Sequence, residues 1–303
     1  MENKERYKHL NEYLKNKFGE RTLKICIDGG FTCPNRDGTV GTKGCIFCSE
    51  RGSGEHIKCS SISKQIENYF NSYKSERANK FIAYFQNFTN TYAPIDVLKE
   101  KYDSALIDDR IVALAVATRP DCINEEVCEL LKSYTDKYYV WVELGLQTAN
   151  NLTGELINRG YSSEQFSEAV TLLNKYNIDV VTHIMVGLPG ENFDDLKNTV
   201  NFVNSHNIQG LKIHCTYVVE NTVLADMYHS GNYETISLEF YLDCVTYILT
   251  HINPDIVIHR VSGDAPKDLL IAPDWNLHKK WIVNGLDKLL REQNLWQGMY
   301  YMS

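Results

Sequence analysis

The chain has 303 residues, of which 43% are hydrophobic and 23% charged, with a formal net charge of −8 and nine cysteines. These proportions are those of a globular protein and exclude collagen-like, low-complexity and disordered chains. The acidic balance argues against a nucleic-acid binder built on one continuous basic face, and no apolar run approaches the roughly 18 residues that span a bilayer. The stretch Met1-Glu2-Asn3-Lys4-Glu5-Arg6 is charged throughout and reads as no secretory signal. An odd number of cysteines in a chain of this size reads as reduced thiols in a cytoplasmic setting, with spacing deciding whether some hold a metal.

Along the chain the period of the apolar residues switches repeatedly between two and about 3.6. A helix is expected over Lys4–Phe18, with Tyr7, Leu10, Leu14 and Phe18 on one face and Gly19 as its stop. A first strand, Leu23–Asp28, leads into a Gly- and Cys-bearing loop from Gly29 to Ser60. A loop of roughly 30 residues inside a compact domain calls for a functional reason. A helix from Ser61 precedes strands at Phe81–Gln86 and Ile111–Ala117. Then come a helix over Asn124–Tyr134, a fourth strand at Tyr139–Leu146, and a helix from Ser162 whose Gln165 completes a capping box. A fifth strand, Asp179–Val186, is followed by a helix after Asn192 with Asp194 and Asp195 in its first turn, where the helix dipole favours them. A sixth strand runs over Leu211–Val218. Helices near Val223–Tyr228 and Leu238–Ile252, a seventh strand at Ile256–Val261 and a helix over Leu277–Arg291 complete the chain.

This alternation predicts an α/β fold of parallel βαβ units closed into a partial (β/α)6 barrel with short helical additions at both ends. The expected organisation is an N-terminal helix over 1–20, a barrel core over 21–220 and a C-terminal extension over 221–303 packed on it. In such barrels the chemistry sits at the carboxyl ends of the strands, and the Cys-rich loop follows the first strand directly.

That loop contains Cys33-Pro34-Asn35-Arg36-Asp37-Gly38, then Gly41, Gly44 and Cys45-Ile46-Phe47-Cys48. Two cysteines two residues apart present both sulfurs to one side. Gly38, Gly41 and Gly44 let the chain bring Cys33 back to them. Three thiolates fall one short of a closed zinc site, which His56 would complete. They also fall one short of the usual four on a cubane iron–sulfur cluster, leaving one iron open to a ligand. Cys59 is a further candidate ligand, whereas Cys26, inside a strand, is expected in the core.

The motif resembles the cluster loop of radical S-adenosylmethionine (SAM) enzymes. It is similar to the branch with a longer first gap, related to the catalytic subunit of Elongator and to oxygen-independent coproporphyrinogen oxidase. Together with Ile271-Ala272-Pro273-Asp274-Trp275 and Trp296-Gln297-Gly298 it resembles a bacterial subfamily connected with wobble-uridine side chains in tRNA. The resemblance implies a [4Fe-4S] cluster on Cys33, Cys45 and Cys48 and SAM on the open iron. It also implies a 5′-deoxyadenosyl radical that abstracts hydrogen from substrate, and a reductant such as flavodoxin or ferredoxin. Thr89 would lie by the methionyl amine, Gln147 and Arg159 by the ribose and carboxylate, and Gly187 by the adenine. Lys58 would reach cofactor or substrate, and the inward Glu143 would balance Arg159. His214, Cys215, Tyr217, His259, Arg260 and Asp264 are the polar groups expected at the barrel mouth. The implied substrate is a tRNA wobble-uridine side chain of the 5-carboxymethylaminomethyl or 5-aminomethyl type. The alternatives are a radical reaction on a small metabolite, or a zinc-stabilised, non-redox barrel that binds RNA or a partner. Neither G-x-x-x-x-G-K-[ST] nor G-x-G-x-x-G occurs, which removes phosphate-loop and dinucleotide readings.

Overall fold

The computed structural model describes residues 5–50, 52 and 60–302. Six βα steps dominate it. The strands are β1 (Thr22–Ile27), β2 (Lys80–Phe85), β3 (Ile111–Thr118), β4 (Tyr139–Gln147), β5 (Asp179–Val186) and β6 (Gly210–Cys215). The helices of this part are α1 (Leu10–Phe18), α2 (Ile62–Phe70), α3 (Ile95–Asp103), α4 (Glu125–Ser133), α5 (Asn151–Leu156), α6 (Ser163–Lys175) and α7 (Phe193–Asn204). A short β7 (Val218–Val219) follows, then α8 (Val223–His229), α9 (Leu238–His251), β8 (Val257–Arg260), β9 (Leu270–Ala272) and α10 (Lys279–Glu292).

One seven-stranded sheet holds β1-β2-β3-β4-β5-β6-β8 in that order, all parallel, and curls into a partial barrel. The chain after residue 220 thus supplies β8, which extends the sheet beyond β6. Parallel strands need crossover connections, and the helices between them bury the outer face of the sheet. Ile25, Phe81, Phe85, Val116, Val142 and Ile184 belong to that outer core. The inner face is different in kind. Ala113, Ala115 and Ala117 of β3 leave room inside for Tyr84 and Trp141, and Leu10 and Leu14 of α1 pack on the same cluster. Helix α1 contacts both β1 and β8, the two edge strands, and covers the seam between them.

Caps locate several helix starts as the sequence suggests. The Ser162–Gln165 capping box is present, and a second one joins Asn192 to Asp195. Four elements differ from expectation. Helix α1 begins only at Leu10, because His9 instead bridges to Ile258 of β8. The sixth strand stops at Cys215, since Val218 and Val219 leave the sheet to pair antiparallel with β9. Helices α3 and α5 are not apparent from periodicity, because α3 buries only Leu98 and Tyr102, and α5 buries Thr153 and Gly154 while Leu152 and Leu156 stay exposed. No helix of the described residues is long and apolar enough to cross a membrane.

Candidate active site

The loop after β1 is shaped by hydrogen bonds rather than by regular structure. Amides of Arg36 and Asp37 donate to Cys33 O, and Cys48 N donates to Cys45 O at 3.0 Å. Asn35, 1% exposed, is the staple: its Nδ2 donates to Asn158 O at 2.6 Å and lies 4.0 Å from Cys45 Sγ. Asn158 returns a bond from its own Nδ2 to Gly44 O at 2.7 Å. A Cβ on Gly41 would sit 2.4 Å from Asn35 Oδ1, so only glycine fits beside the staple. Ile46 N bonds to Ile157 O and Ile46 O accepts from Leu224 N, which ties the loop to both neighbouring connections.

Cys33, Cys45 and Cys48 line one wall of a cavity of about 520 Å³ at the carboxyl ends of the strands. Burial, with Cys48 adding, pushes the Cys45 thiol up to about 12, against the pull of Arg119. Among the described residues no three His, Cys, Asp or Glu side chains converge as ligands of a single ion do. A cubane takes each thiolate on a different iron, so three thiols that line one cavity without converging on a single point suit a cluster better than one zinc. The amide of Asn35 near Cys45 Sγ is the kind of donor that tunes such sulfurs. His56, Lys58 and Cys59 lie outside the described residues.

Of the residues expected around the cofactor, Thr89 and Gln147 line this cavity. Gln147 has φ +59° and follows a register irregularity in β4, and its Oε1 accepts from Tyr161 Oη at 2.8 Å. The bulge re-aims the side chain toward the cavity. Arg159 is not brought there. It is fully buried, and its guanidinium donates to the carbonyls of Leu146, Thr148 and Tyr161 and to Asn151 Oδ1. Every edge of the fork is taken by the protein, so Arg159 shapes the β4 loop instead of meeting a ligand carboxylate. Arg119, which the sequence reading passed over, lines the cavity, as do Arg36 and Arg260. Two of its nitrogens bond Asp121 at 2.9 and 2.7 Å, and Nη1 donates to Arg159 O at 2.9 Å. Gly187, at φ +86°, faces a separate hollow, where Tyr233 Oη bonds its carbonyl and Ile236 lies 3.1 Å from where a Cβ would stand.

Cys26, expected in the core, instead lines the main cavity and is exposed to it. Glu143 does not balance Arg159 either. Fully buried on β4, it accepts from Tyr84 Oη at 2.7 Å, His183 Nε2 at 3.0 Å, Trp141 Nε1 at 3.2 Å and Lys24 Nζ at 3.3 Å, and it contacts Lys212 Nζ directly. Despite the cost of burial, Lys212 and then Lys24 hold its carboxyl well below the usual range. Burial, helped by Lys212, lowers His183 to about 4. Lys212 itself falls to about 7 through burial, against the attraction of Glu143. The cavity therefore has a thiol wall and an ionic floor. Sequence reading identified the wall and only fragments of the floor, whose members come from separate strands.

A parallel partial barrel with a thiol-lined cavity at its strand ends defines a class of cofactor-dependent enzymes. Residues 35–203 match the model of the radical SAM superfamily, and residues 208–292 match that of the radical SAM C-terminal domain. The chain belongs to the radical SAM superfamily and is an enzyme of that kind. It is 39% identical to YtqA of Bacillus subtilis over 98% of this chain and 93% of that protein. It is 35% identical to YhcC of Escherichia coli over 93% of this chain and 91% of that one. A tRNA uridine(34) acetyltransferase of Methanocaldococcus jannaschii is 29% identical over 54% of this chain and 30% of its own length. Among solved structures, Elp3 of Methanocaldococcus infernus superposes with a TM-score of 0.68 at 17% identity, over 91% of this chain and 64% of that one, a likeness of fold. These findings bear out the Elongator-like branch and the partial barrel.

Proposed function

We propose that Cys33, Cys45 and Cys48 hold a [4Fe-4S] cluster, with SAM bound beside it against Thr89 and Gln147. The single observation that carries this is the three thiols sharing one cavity wall with those two side chains. Bound together, cluster and cofactor supply a 5′-deoxyadenosyl radical that takes hydrogen from substrate. The protein's part is to orient and enclose. Asn35 fixes the cysteine loop, and Arg119 and Tyr161 wall the cavity. The electron comes from a flavodoxin- or ferredoxin-type donor in the cytoplasm.

The substrate in this reading is a tRNA wobble-uridine side chain of the 5-carboxymethylaminomethyl or 5-aminomethyl type. Partial similarity to a tRNA uridine(34) acetyltransferase supports it. Anaerobically reconstituted protein is expected to carry about four irons and four sulfides per chain and to release 5′-deoxyadenosine with dithionite. Cys45→Ala abolishes that release, and unchanged turnover in the variant refutes the ligand assignment. Identical tRNA nucleoside profiles with and without the gene refute the substrate.

A further inference from the structure

Three adjacent strands turn basic side chains into one row of the cavity. His183 of β5 is the register partner of Lys212 of β6, and Lys212 that of Arg260 of β8. His214, the next inward position on β6, lies with its ring centroid 5.2 Å from that of His183. Lys24 of β1 approaches from the opposite edge and Tyr84 of β2 bonds Lys212 at 3.0 Å. Two carboxylates answer these cations. Glu143 lies beneath them, and Asp264 is shared between Arg260 and the exposed Lys279. The cations still outnumber the carboxylates.

Two features show that the floor is incomplete. Nε2 of His214 is buried with no hydrogen-bond partner. Burial, then His183, Arg260 and Lys212, hold that ring far below its ordinary pKa, and Lys24 and Arg260 oppose the charge on Lys212. Neighbouring His259 of β8 is held neutral by burial in the same way. An anion set against Lys212, Arg260 and His214 would relieve repulsion among the cations and give the imidazole N–H an acceptor.

We propose that this floor binds an oxyanion of the substrate, a carboxylate or a phosphate ester, through Lys212, Arg260 and His214. The cavity then selects substrates whose bound end is negatively charged. The inference rests on this cavity being the substrate site. Applied to the proposed function, it favours a uridine side chain ending in a carboxylate over one ending in an amine.

The test uses full-length protein, reconstituted anaerobically and carrying carbon-13-labelled histidine, titrated near neutral pH with acetate and separately with inorganic phosphate. Saturable shifts of the His214 and His183 imidazole signals are expected, with those of exposed His229 unmoved. Lys212→Met weakens binding by about tenfold or more, as loss of a charge-assisted bond to the anion requires. Because that variant leaves Glu143 without its main partner, Arg260→Gln, with its side chain 33% exposed, serves as the second and weakens binding in the same direction. Tighter binding of acetate supports a carboxylate source, and tighter binding of phosphate supports a phosphate ester. No saturable shift with either anion, or unchanged affinity in both variants, overturns the proposal. Unchanged tRNA nucleoside profiles beside intact anion binding defeat only the wobble-uridine reading, whereas altered profiles without anion binding defeat only this one.

Discussion

Removing the charge of Glu143 should destabilise the fold more than most single substitutions, and restoring charge balance at Lys212 should recover part of the loss. Glu143 is 1% exposed and Lys212 is 5% exposed, so neither charge has bulk water to fall back on. In Glu143→Gln the amide keeps one acceptor oxygen but turns an NH2 toward donors that include Lys24, Tyr84 and Lys212. Breaking a buried pair by removing one partner costs about 3–5 kcal/mol, and about 3 is expected here. Lys212→Met leaves Glu143 with Lys24, whose side chain is 23% exposed and can adjust, so about 2 kcal/mol is expected. The double variant removes both charges and should fall short of the summed losses by about 2 kcal/mol. A domain with about 5–15 kcal/mol of stability tolerates each single change. Urea unfolding of the four proteins, with their slopes against denaturant unchanged, measures the cycle. Losses that add to within about 0.5 kcal/mol would mean that the two groups do not act as a pair, and the ionic floor would have to be redrawn.

Two further outcomes concern Glu191, in the hollow beside Gly187, and Asn35, in the cysteine loop. Burial pushes Glu191 up to about 7, with the hydroxyl of Thr148 opposing and the charge of Asp195 adding. The folded chain therefore holds a proton that the unfolded chain releases above about 4.5, so wild-type stability falls as pH rises from there to about 7. Glu191→Gln carries no such loss, and at pH 8 it should be more stable by about 2 kcal/mol, with the advantage gone below pH 4.5. Thermal unfolding at both pH values checks this, and an equal advantage at both contradicts it. Asn35→Ala removes the donor that holds Asn158 O at 2.6 Å and should cost about 1–3 kcal/mol. It also loosens the turn between Cys33 and Cys45, so iron bound per chain after anaerobic reconstitution should drop, whereas full iron loading would show that the loop keeps its shape without the staple.

What could be read from the sequence depended on how far apart the cooperating residues lie. Cys33, Cys45 and Cys48 fall within one loop, and the glycines that let it fold back stand between them, so local spacing was enough. Strands were legible because fully buried parallel strands are short apolar runs, as at Ile111–Thr118. The end of β6 was not, because the apolar run continues to Val218–Val219, and only pairing with β9 decides that these two residues leave the barrel. Arg159 shows the limit of a motif. The resemblance set it with Gln147 beside the cofactor, but the side chain turns to backbone carbonyls that the sequence cannot display.

The floor of the cavity lay furthest from view for the same reason. Glu143 meets Lys24 across 119 positions, Tyr84 across 59 and Lys212 across 69. No window along the chain contains the set. Each member read alone is an ordinary polar residue in an apolar strand, and only the parallel register makes it part of a charged surface. The proposed cofactor ligands are therefore local in sequence while the groups of the ionic floor, Lys24, Tyr84, Glu143, His183, Lys212 and Arg260, come from six strands. That division explains why the family could be recognised from one loop and why the chemistry of the substrate has to be argued from the electrostatics of the assembled barrel. It also means that changes such as Lys212→Met or Arg260→Gln can alter what the cavity accepts without touching the cysteine motif.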